Sequence, residues 1–359
     1  MTQAPTRTHV IVLFGGESAE HDVSCVTAAH VLRALDADKY RVTAVGITRS
    51  GAWMLATDAM AALTKGPTHV PDRLEAIGEP TSITPIVAQV RSEERTVVFP
   101  LLHGPLGEDG TIQGVLELAN IPYVGTGVLG SAVSMDKGVA KQVLAANGIQ
   151  QPEFRTLRES HISDAALRSI ADDLGFPLFV KPANMGSSVG ISKAKNADEL
   201  RRAVDAALTY DEWVVFEESV SGREIEVAVL GNLEAKATVP GEIVPSREFY
   251  DYEDKYLGDG AQLIVPARLS PDEATAVQKL ALVVFHTLRA EGMARVDFFY
   301  EEGGRGFLCN EINTIPGFTP ISMYPKLWQA SGLSYSRLLD ELIELALERH
   351  ARRRRNTSR

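Results

Sequence analysis

Two strand-length segments near the C-terminus, Arg295 to Tyr300 and Gly306 to Glu311, flank the turn Glu301-Glu-Gly-Gly304, and pairing them commits this part of the chain to an antiparallel hairpin. Side chains alternate faces along a strand, so Arg295 and Asp297 share one face of the first strand, and Glu311 and Asn313 one face of the second. The hairpin can merge these faces. Asp297, Glu311 and Asn313 would then offer three hard oxygen ligands, the set Mg²⁺ prefers when it also holds nucleotide phosphates. Any one of these residues alone reads as an exposed charge on a surface hairpin. The four together, running into the turn Pro316-Gly317-Phe318-Thr319, point to ATP-dependent chemistry.

A chain of 359 residues exceeds what one core usually fills, so two or three domains are expected. An apolar fraction of 45% and a charged fraction of 23% are ordinary globular values. No stretch approaches a transmembrane span, and the apolar run Val10 to Phe14 is too short for a signal core. Two cysteines, Cys25 and Cys309, fit a reduced compartment, so the expectation is a cytoplasmic protein that does not enter a membrane. A net charge of −11 argues against nucleic-acid binding. The basic run Arg352 to Arg355 reads as a solvated tail, and Cys25 as a small buried apolar residue.

Strands are expected at His9 to Phe14, Tyr40 to Ile47 and Thr96 to Leu102, with a helix over Val23 to Leu35. This is a parallel α/β unit whose functional loops lie at the carboxyl ends of its strands, at Gly16 to Glu20 and His103 to Gly110. A short strand at Ile121 to Val124 precedes Gly125-Thr-Gly127-Val-Leu-Gly130 and a helix from about Ser131 to Ala146. That G-x-G-x-x-G comes after several strands rather than opening the fold, so it reads as a tight turn and not as a dinucleotide fingerprint. Further on come strands at Leu178 to Lys181, Ile191 to Lys193, Trp213 to Glu217 and Ile225 to Leu230. Helices are expected at Ala197 to Leu208, Pro271 to Glu291 and Ser336 to Arg349.

Gly186-Ser-Ser-Val-Gly190 lacks the lysine and spacing of a Walker A loop. It is either a hairpin covering phosphates, with Lys181 supplying a point charge beside it, or a plain surface loop.

Six ordered stretches carry a sharper signal: F-G-G-E-S-A-E-H-D-V-S, L-L-H-G-P-L-G-E-D-G-T-I-Q-G, S-M-D-K, V-K-P-A-N-M-G-S-S-V-G, Y-D-Y-E-D-K-Y and N-E-I-N-T-I-P-G-F-T-P-I-S-M-Y. From Phe14 to about Leu347 the chain resembles the D-alanine–D-alanine ligase family of the ATP-grasp superfamily. The resemblance implies an α/β ATP-grasp fold of three α/β domains: an N-terminal parallel-sheet (pre-ATP-grasp) substrate domain over 1–136, a central ATP-grasp subdomain over 137–220 and a C-terminal domain over 221–350. A basic tail follows at 351–359. It also implies ATP as co-substrate, two Mg²⁺ ions with Mn²⁺ as an acceptable substitute, D-alanine as substrate, and a homodimer.

By the same resemblance, ATP contacts fall to Lys137, Lys181, Glu217, Glu218, Val220, Glu224 and Lys255. Glu217 and Glu218 would face adenine and the hinge, and Glu224 would accept hydrogen bonds from the ribose hydroxyls. A family lysine often follows the first of the two glutamates; here Glu218 stands there, so only its backbone contact carries over. Asp297, Glu311 and Asn313 would hold the metal. Glu20 would pair with the first D-alanine's ammonium and connect to Ser187 and Tyr256, closing the 250–256 loop over the site. Arg295 and the Gly317 N–H would stabilise an oxyanion, Ser322 and the Met323 backbone would bind the second carboxylate, and His103 would lie near the substrate end. Tyr256, within Y-D-Y-E-D-K-Y, matches the dipeptide-forming rather than the D-lactate-using relatives. Alternatives are another ATP-grasp carboxylate–amine ligase, a D-alanine–D-lactate ligase, a non-catalytic nucleotide-binding regulator and, resting only on Gly125 to Gly130, a dehydrogenase.

Overall fold

The fold was described from a computed structural model covering residues 7–82, 95–245, 261–319 and 321–353. The chain opens with β1 (Thr8–Gly15), α1 (His21–Ala34), β2 (Tyr40–Ile47), β3 (Trp53–Leu55), α2 (Thr57–Lys65), β4 (Glu79–Pro80) and β5 (Thr96–Pro100). These strands form one sheet in the order β4-β3-β2-β1-β5. β1 runs parallel to both β2 and β5, while β3 and β4 add an antiparallel edge. β1 is buried on both faces, as a central parallel strand must be. Val10, Val12 and Phe14 enter one core and Ile11 and Leu13 the other.

α3 (Thr111–Leu118), α4 (Val128–Met135) and α5 (Lys137–Ala146) follow. Only Tyr123, bridged to Val98, pairs in the stretch expected to be a strand at Ile121 to Val124. The single helix expected over Ser131 to Ala146 is two helices, because Asp136 leaves the helical conformation and its carboxylate accepts from Val139 N–H at 2.9 Å, capping α5. The break places Lys137 at the first position of a new helix.

The second sheet, β6-β9-β7-β8, is antiparallel and consists of β6 (Phe154–Arg158), β7 (Leu178–Pro182), β8 (Ser192–Ala194) and β9 (Trp213–Glu218), covered by α6 (Asp164–Leu174) and α7 (Ala197–Leu208). It has its own core of Leu178, Val180, Val214, Phe216 and the apolar faces of the two helices.

The third sheet contains β10 (Arg223–Gly231), β11 (Lys236–Ala237), β12 (Gly241–Val244), β13 (Gln262–Ile264), β14 (Gly292–Glu301) and β15 (Gly306–Asn313), ordered β13-β12-β10-β14-β15 with β11 on β10. One face packs on α8 (Pro271–Thr287), a helix that ends before the expected Glu291 and starts with a reciprocal Ser270–Glu273 capping box. α9 (Met323–Ala330) and α10 (Tyr335–Arg353) close the chain. α10 packs back onto the first sheet: Leu338, Leu339, Leu342 and Ile343 share a core with Val10, Val12 and α1.

Arg349, on α10, is buried. It stacks over the Tyr123 ring at 4.1 Å and donates to the carbonyls of Tyr123, at 3.0 Å, and Gly125. Arg352 pairs with Glu291 and Arg353 with Glu117 at 2.9 Å. α10 thus continues through both residues, and the solvated-tail expectation fails for Arg352, which is partly buried against Glu291, while Arg353 is paired but exposed. Arg354 and Arg355 lie outside the described residues.

Candidate active site

The β14–β15 hairpin forms as expected, with Arg295 opposite Asn313 and Asp297 opposite Glu311. Below that level the register slips: Phe298 faces Cys309, leaving Asn310 as the extra residue of a β-bulge. The bulge reverses the facing of β15. Cys309 and Ile312 both reach the α8 core, while Glu311 and Asn313 join Arg295 and Asp297 on the opposite face. β10 extends that face. Ile225 and Val227 point to α8, and Glu224 and Glu226, at alternating positions, line the cleft.

Arg295 grips Asp297 with two hydrogen bonds, 2.8 Å from Nε and 2.7 Å from Nη2, and its Nε lies 3.1 Å from Glu226. Burial opposes its charge, but Asp297 and Glu226 outweigh burial and hold the guanidinium well above its ordinary value. The Asn313 amide donates to Asp297 at 3.0 Å, and Glu311 lies 3.6 Å from Lys137 Nζ. Two carboxylates and an amide on one rigid hairpin fit Mg²⁺, which usually takes one or two carboxylates and fills its remaining positions with water and phosphate oxygens. Among the described residues, no three His, Cys, Asp or Glu side chains converge as an all-protein metal cage.

Two cavities meet at this face, sharing Arg295, Glu226, Glu311, Ser188 and Ile191. The smaller, about 120 Å³, lies under the ends of β1 and β5. Glu20, just before α1, accepts from the Ser187 hydroxyl within it. The carboxylate is wedged between glycines: a Cβ on Gly186 would come within 2.5 Å of Glu20 Oε2, and one on Gly104 within 3.0 Å. Ser187 and Ser188 have φ of 48° and 60°, a left-handed conformation that serine adopts at some strain. His103 is buried, its charge disfavoured first by desolvation, and its Nε2 has no hydrogen-bond partner among the described residues.

Across the cavity, a Cβ on Gly317 would lie 2.8 Å from Ser322 Oγ. Ser322 bonds to the Thr319 hydroxyl at 2.7 Å and accepts from its N–H at 3.1 Å rather than capping α9. The N-terminus of α9, with Met323 at its first position, is therefore left to face an anion.

The larger cavity, about 420 Å³, lies between the second and third sheets and is lined by Lys181, Glu217, Glu218, Val220, Glu224, Asp297 and Glu311 among others. Here one expectation changes. Glu217 was to face adenine, but its carboxylate is 1% exposed and clasped by Lys181 at 2.7 Å and Lys141 at 2.6 Å. Burial alone would raise its pKa; the two ammonium groups hold it below its ordinary value. The Glu218 side chain is also committed, accepting from Arg305 at 2.5 Å and from Glu153 N–H at 2.8 Å. Lys137 donates to Met185 O at 2.6 Å, tying α5 to the glycine–serine loop.

The structure thus brings to these two cavities all the expected site residues except Lys255 and Tyr256, which lie outside the described residues. Three functional candidates were not singled out from the sequence. Glu226 was legible as the second acidic residue of the alternating R-E-I-E on β10. Glu108 sits in the L-G-E-D-G stretch; burial, then the nearby Glu20, push its carboxyl up to about 8, against the Gly104 N–H donating at 2.7 Å. Lys141, one helical turn after Lys137, is buried against Glu217, which nothing in its sequence position marks. Cys25 is buried, as expected, and burial first among its surroundings raises its thiol to about 12.

The chain is similar to known proteins along most of its length. The family described as D-ala D-ala ligase N-terminus matches residues 9–126, and that described as D-ala D-ala ligase C-terminus matches residues 143–344. A D-alanine–D-alanine ligase of Bacillus cytotoxicus is 44% identical over 96% of this chain and 97% of its own length. That of Caldicellulosiruptor bescii is 45% identical over 97% and 98%. The structure of the Coxiella burnetii D-alanine–D-alanine ligase superposes with a TM-score of 0.80 at 38% identity, covering 97% of this chain and 96% of that one. The VanG D-Ala:D-Ser ligase of Enterococcus faecalis gives 0.81 at 36% identity, covering 95% and 99%.

Proposed function

The chain belongs to the D-alanine–D-alanine ligase family, ATP-dependent enzymes that join two D-alanines for peptidoglycan precursor synthesis, and from that premise we propose that its two cavities divide the reaction between them. The observation that carries this reading is the Arg295–Asp297–Glu311–Asn313 face lying where a lysine-bearing cleft meets a small cavity containing Glu20.

The larger cleft takes ATP. Lys181 within it and Lys137 from the wall of the smaller cavity contact phosphate oxygens, Glu224 accepts from the ribose hydroxyls, and the backbone near Glu218 and Val220 meets the adenine. Asp297, Glu311 and Asn313 would hold Mg²⁺, which when bound neutralises phosphate charge during transfer. In the smaller cavity Glu20 takes the ammonium of the first D-alanine, its orientation fixed by the Ser187 hydroxyl. One oxygen of that substrate's carboxylate attacks the γ-phosphorus, the bond to ADP breaks, and D-alanyl phosphate remains. The second D-alanine, its carboxylate at Ser322 and the N-terminus of α9, releases an ammonium proton to solvent and attacks the carbonyl carbon with its amine, whose next proton passes to the departing phosphate as the amide forms. Arg295 and the Gly317 N–H stabilise the tetrahedral oxyanion until phosphate leaves with the C–O electron pair, giving D-alanyl-D-alanine. The chemistry needs water kept from this cavity, because an acyl phosphate hydrolyses readily. The same reading gives Lys255 and Tyr256 roles in the reaction, divides the chain into units at 1–136, 137–220 and 221–350, and makes the enzyme a cytoplasmic homodimer. No described helix is long and apolar enough to cross a membrane.

Purified protein with Mg²⁺, ATP and D-alanine, L-alanine, or D-alanine mixed with D-serine or D-lactate should be followed for phosphate and for product mass. Phosphate and D-alanyl-D-alanine are expected with D-alanine alone, and as the main product in the mixtures at neutral pH. Absence of D-alanine-dependent phosphate release refutes the assignment; a mixed dipeptide or depsipeptide as main product moves it to a sister activity.

A further inference from the structure

Lys141 has no role in the reaction above, yet it is among the most deeply buried side chains of the molecule. It is 2% exposed, with Nζ 2.6 Å from Glu217 Oε2, and its ammonium lies 5.6 Å above the Phe154 ring. Lys181 reaches the other oxygen, Oε1, at 2.7 Å. Two ammonium groups and one carboxylate share this dry space, so the cluster carries one surplus positive charge. One buried carboxylate fully compensates only one buried cation. The surplus has an outlet, because Lys181 lines the nucleotide cleft whereas Lys141 stands behind Glu217 and does not.

We propose that Lys141 is a positioning residue for the nucleotide: by occupying Oε2 of Glu217 it leaves Lys181 a single oxygen to rest on, so Lys181 is fixed in place while its charge stays available to a phosphate oxygen. This rests on the reading of Lys181 as a phosphate contact. Without Lys141, the full negative charge of Glu217 falls on Lys181, the pair becomes neutral, and its attraction for a polyanion falls. With Glu217 also made neutral, one positive charge remains and the attraction returns. A lysine that merely filled space would show neither effect, because packing is indifferent to the charge balance of the cluster.

The test uses the full-length enzyme with Mg²⁺ and compares Lys141→Met, Lys141→Met/Glu217→Gln and Lys181→Met, measuring kcat, KM for ATP, KM for D-alanine and the thermal midpoint. Lys141→Met is expected to raise KM for ATP by roughly tenfold or more, the scale set by truncating one member of a buried charge pair, with KM for D-alanine unmoved. The double variant is expected to recover most of that loss. A lowered thermal midpoint with unchanged KM for ATP, or equal rises in both KM values, overturns the proposal. If Lys141→Met does not fold, the double variant decides: KM for ATP near wild type supports the proposal, and one as high as that of Lys181→Met overturns it. An unchanged KM for ATP in Lys181→Met instead removes the phosphate reading itself, and the proposal with it.

Discussion

The two cavities bury the same kind of group and treat it oppositely. In the smaller one Glu108 is surrounded by a backbone N–H and another carboxylate, and burial drives its proton affinity up to about 8. In the larger one Glu217 is just as buried, but two lysines reverse the effect of burial and keep it ionised. The difference lies in the neighbours and not in depth. In the smaller cavity Glu108 lies beside Glu20 and Lys137 only partly offsets its burial, which suits the cationic end of a zwitterion, whereas in the larger cleft two lysines meet one carboxylate, which suits a polyanion. Substitutions should therefore separate the two substrates kinetically, except at residues that belong to both cavities.

Arg295 is such a residue, and its loss should have the largest effect. Arg295→Met is expected to lower kcat by about two to three orders of magnitude, the scale for removing an oxyanion donor, and to leave Asp297 and Glu226 without their guanidinium partner. Phosphate-release kinetics with each substrate varied would check this; a variant that retains wild-type kcat breaks the picture of a shared centre. Glu20→Gln should act on one side only. Losing a charge-assisted hydrogen bond of about 1.5–3 kcal/mol should raise KM for D-alanine by roughly ten- to a hundredfold, with KM for ATP steady. Equal rises in both would dissolve the division. Glu224→Gln is the mirror case and smaller: losing part of a neutral-scale hydrogen bond, about 1 kcal/mol, should raise KM for ATP about fivefold and leave D-alanine unaffected.

A further effect concerns stability rather than turnover. Glu108 holds its proton up to about 8 in the folded protein and ionises near 4.5 when unfolded, so the folded state binds the extra proton between these values. The stabilisation linked to it is complete below pH 4.5 and is lost as pH rises through 8. Glu108→Gln should remove that dependence, flattening the decline in urea midpoint between about pH 5 and 8.5 relative to wild type. Parallel pH profiles for the two proteins would show that the carboxyl is already ionised when folded.

Much of the architecture could be read from residues. Tyr40 to Ile47 and Ala197 to Leu208 coincide with β2 and α7 because their apolar periodicity is uninterrupted and their ends are marked. The hairpin carrying Asp297 and Glu311 was legible for the same reason. The bulge at Asn310 was not, since one unpaired residue leaves no trace in an alternating pattern until its partner strand is known. The break at Asp136 was hidden because aspartate is tolerated inside a helix and becomes a cap only where the chain turns. Glu108 belonged to a recognisable stretch and Lys141 to an expected helix, but their burial and their charge states are set by elements distant in sequence.

Arg349 and the apolar face of α10 have a consequence for how the polypeptide is made. The first sheet is translated well before the helix that covers Val10, Val12 and α1. Until then the nascent N-terminal unit carries an uncovered apolar surface, a natural landing place for a chaperone. Removing α10 should yield an insoluble product rather than a smaller enzyme.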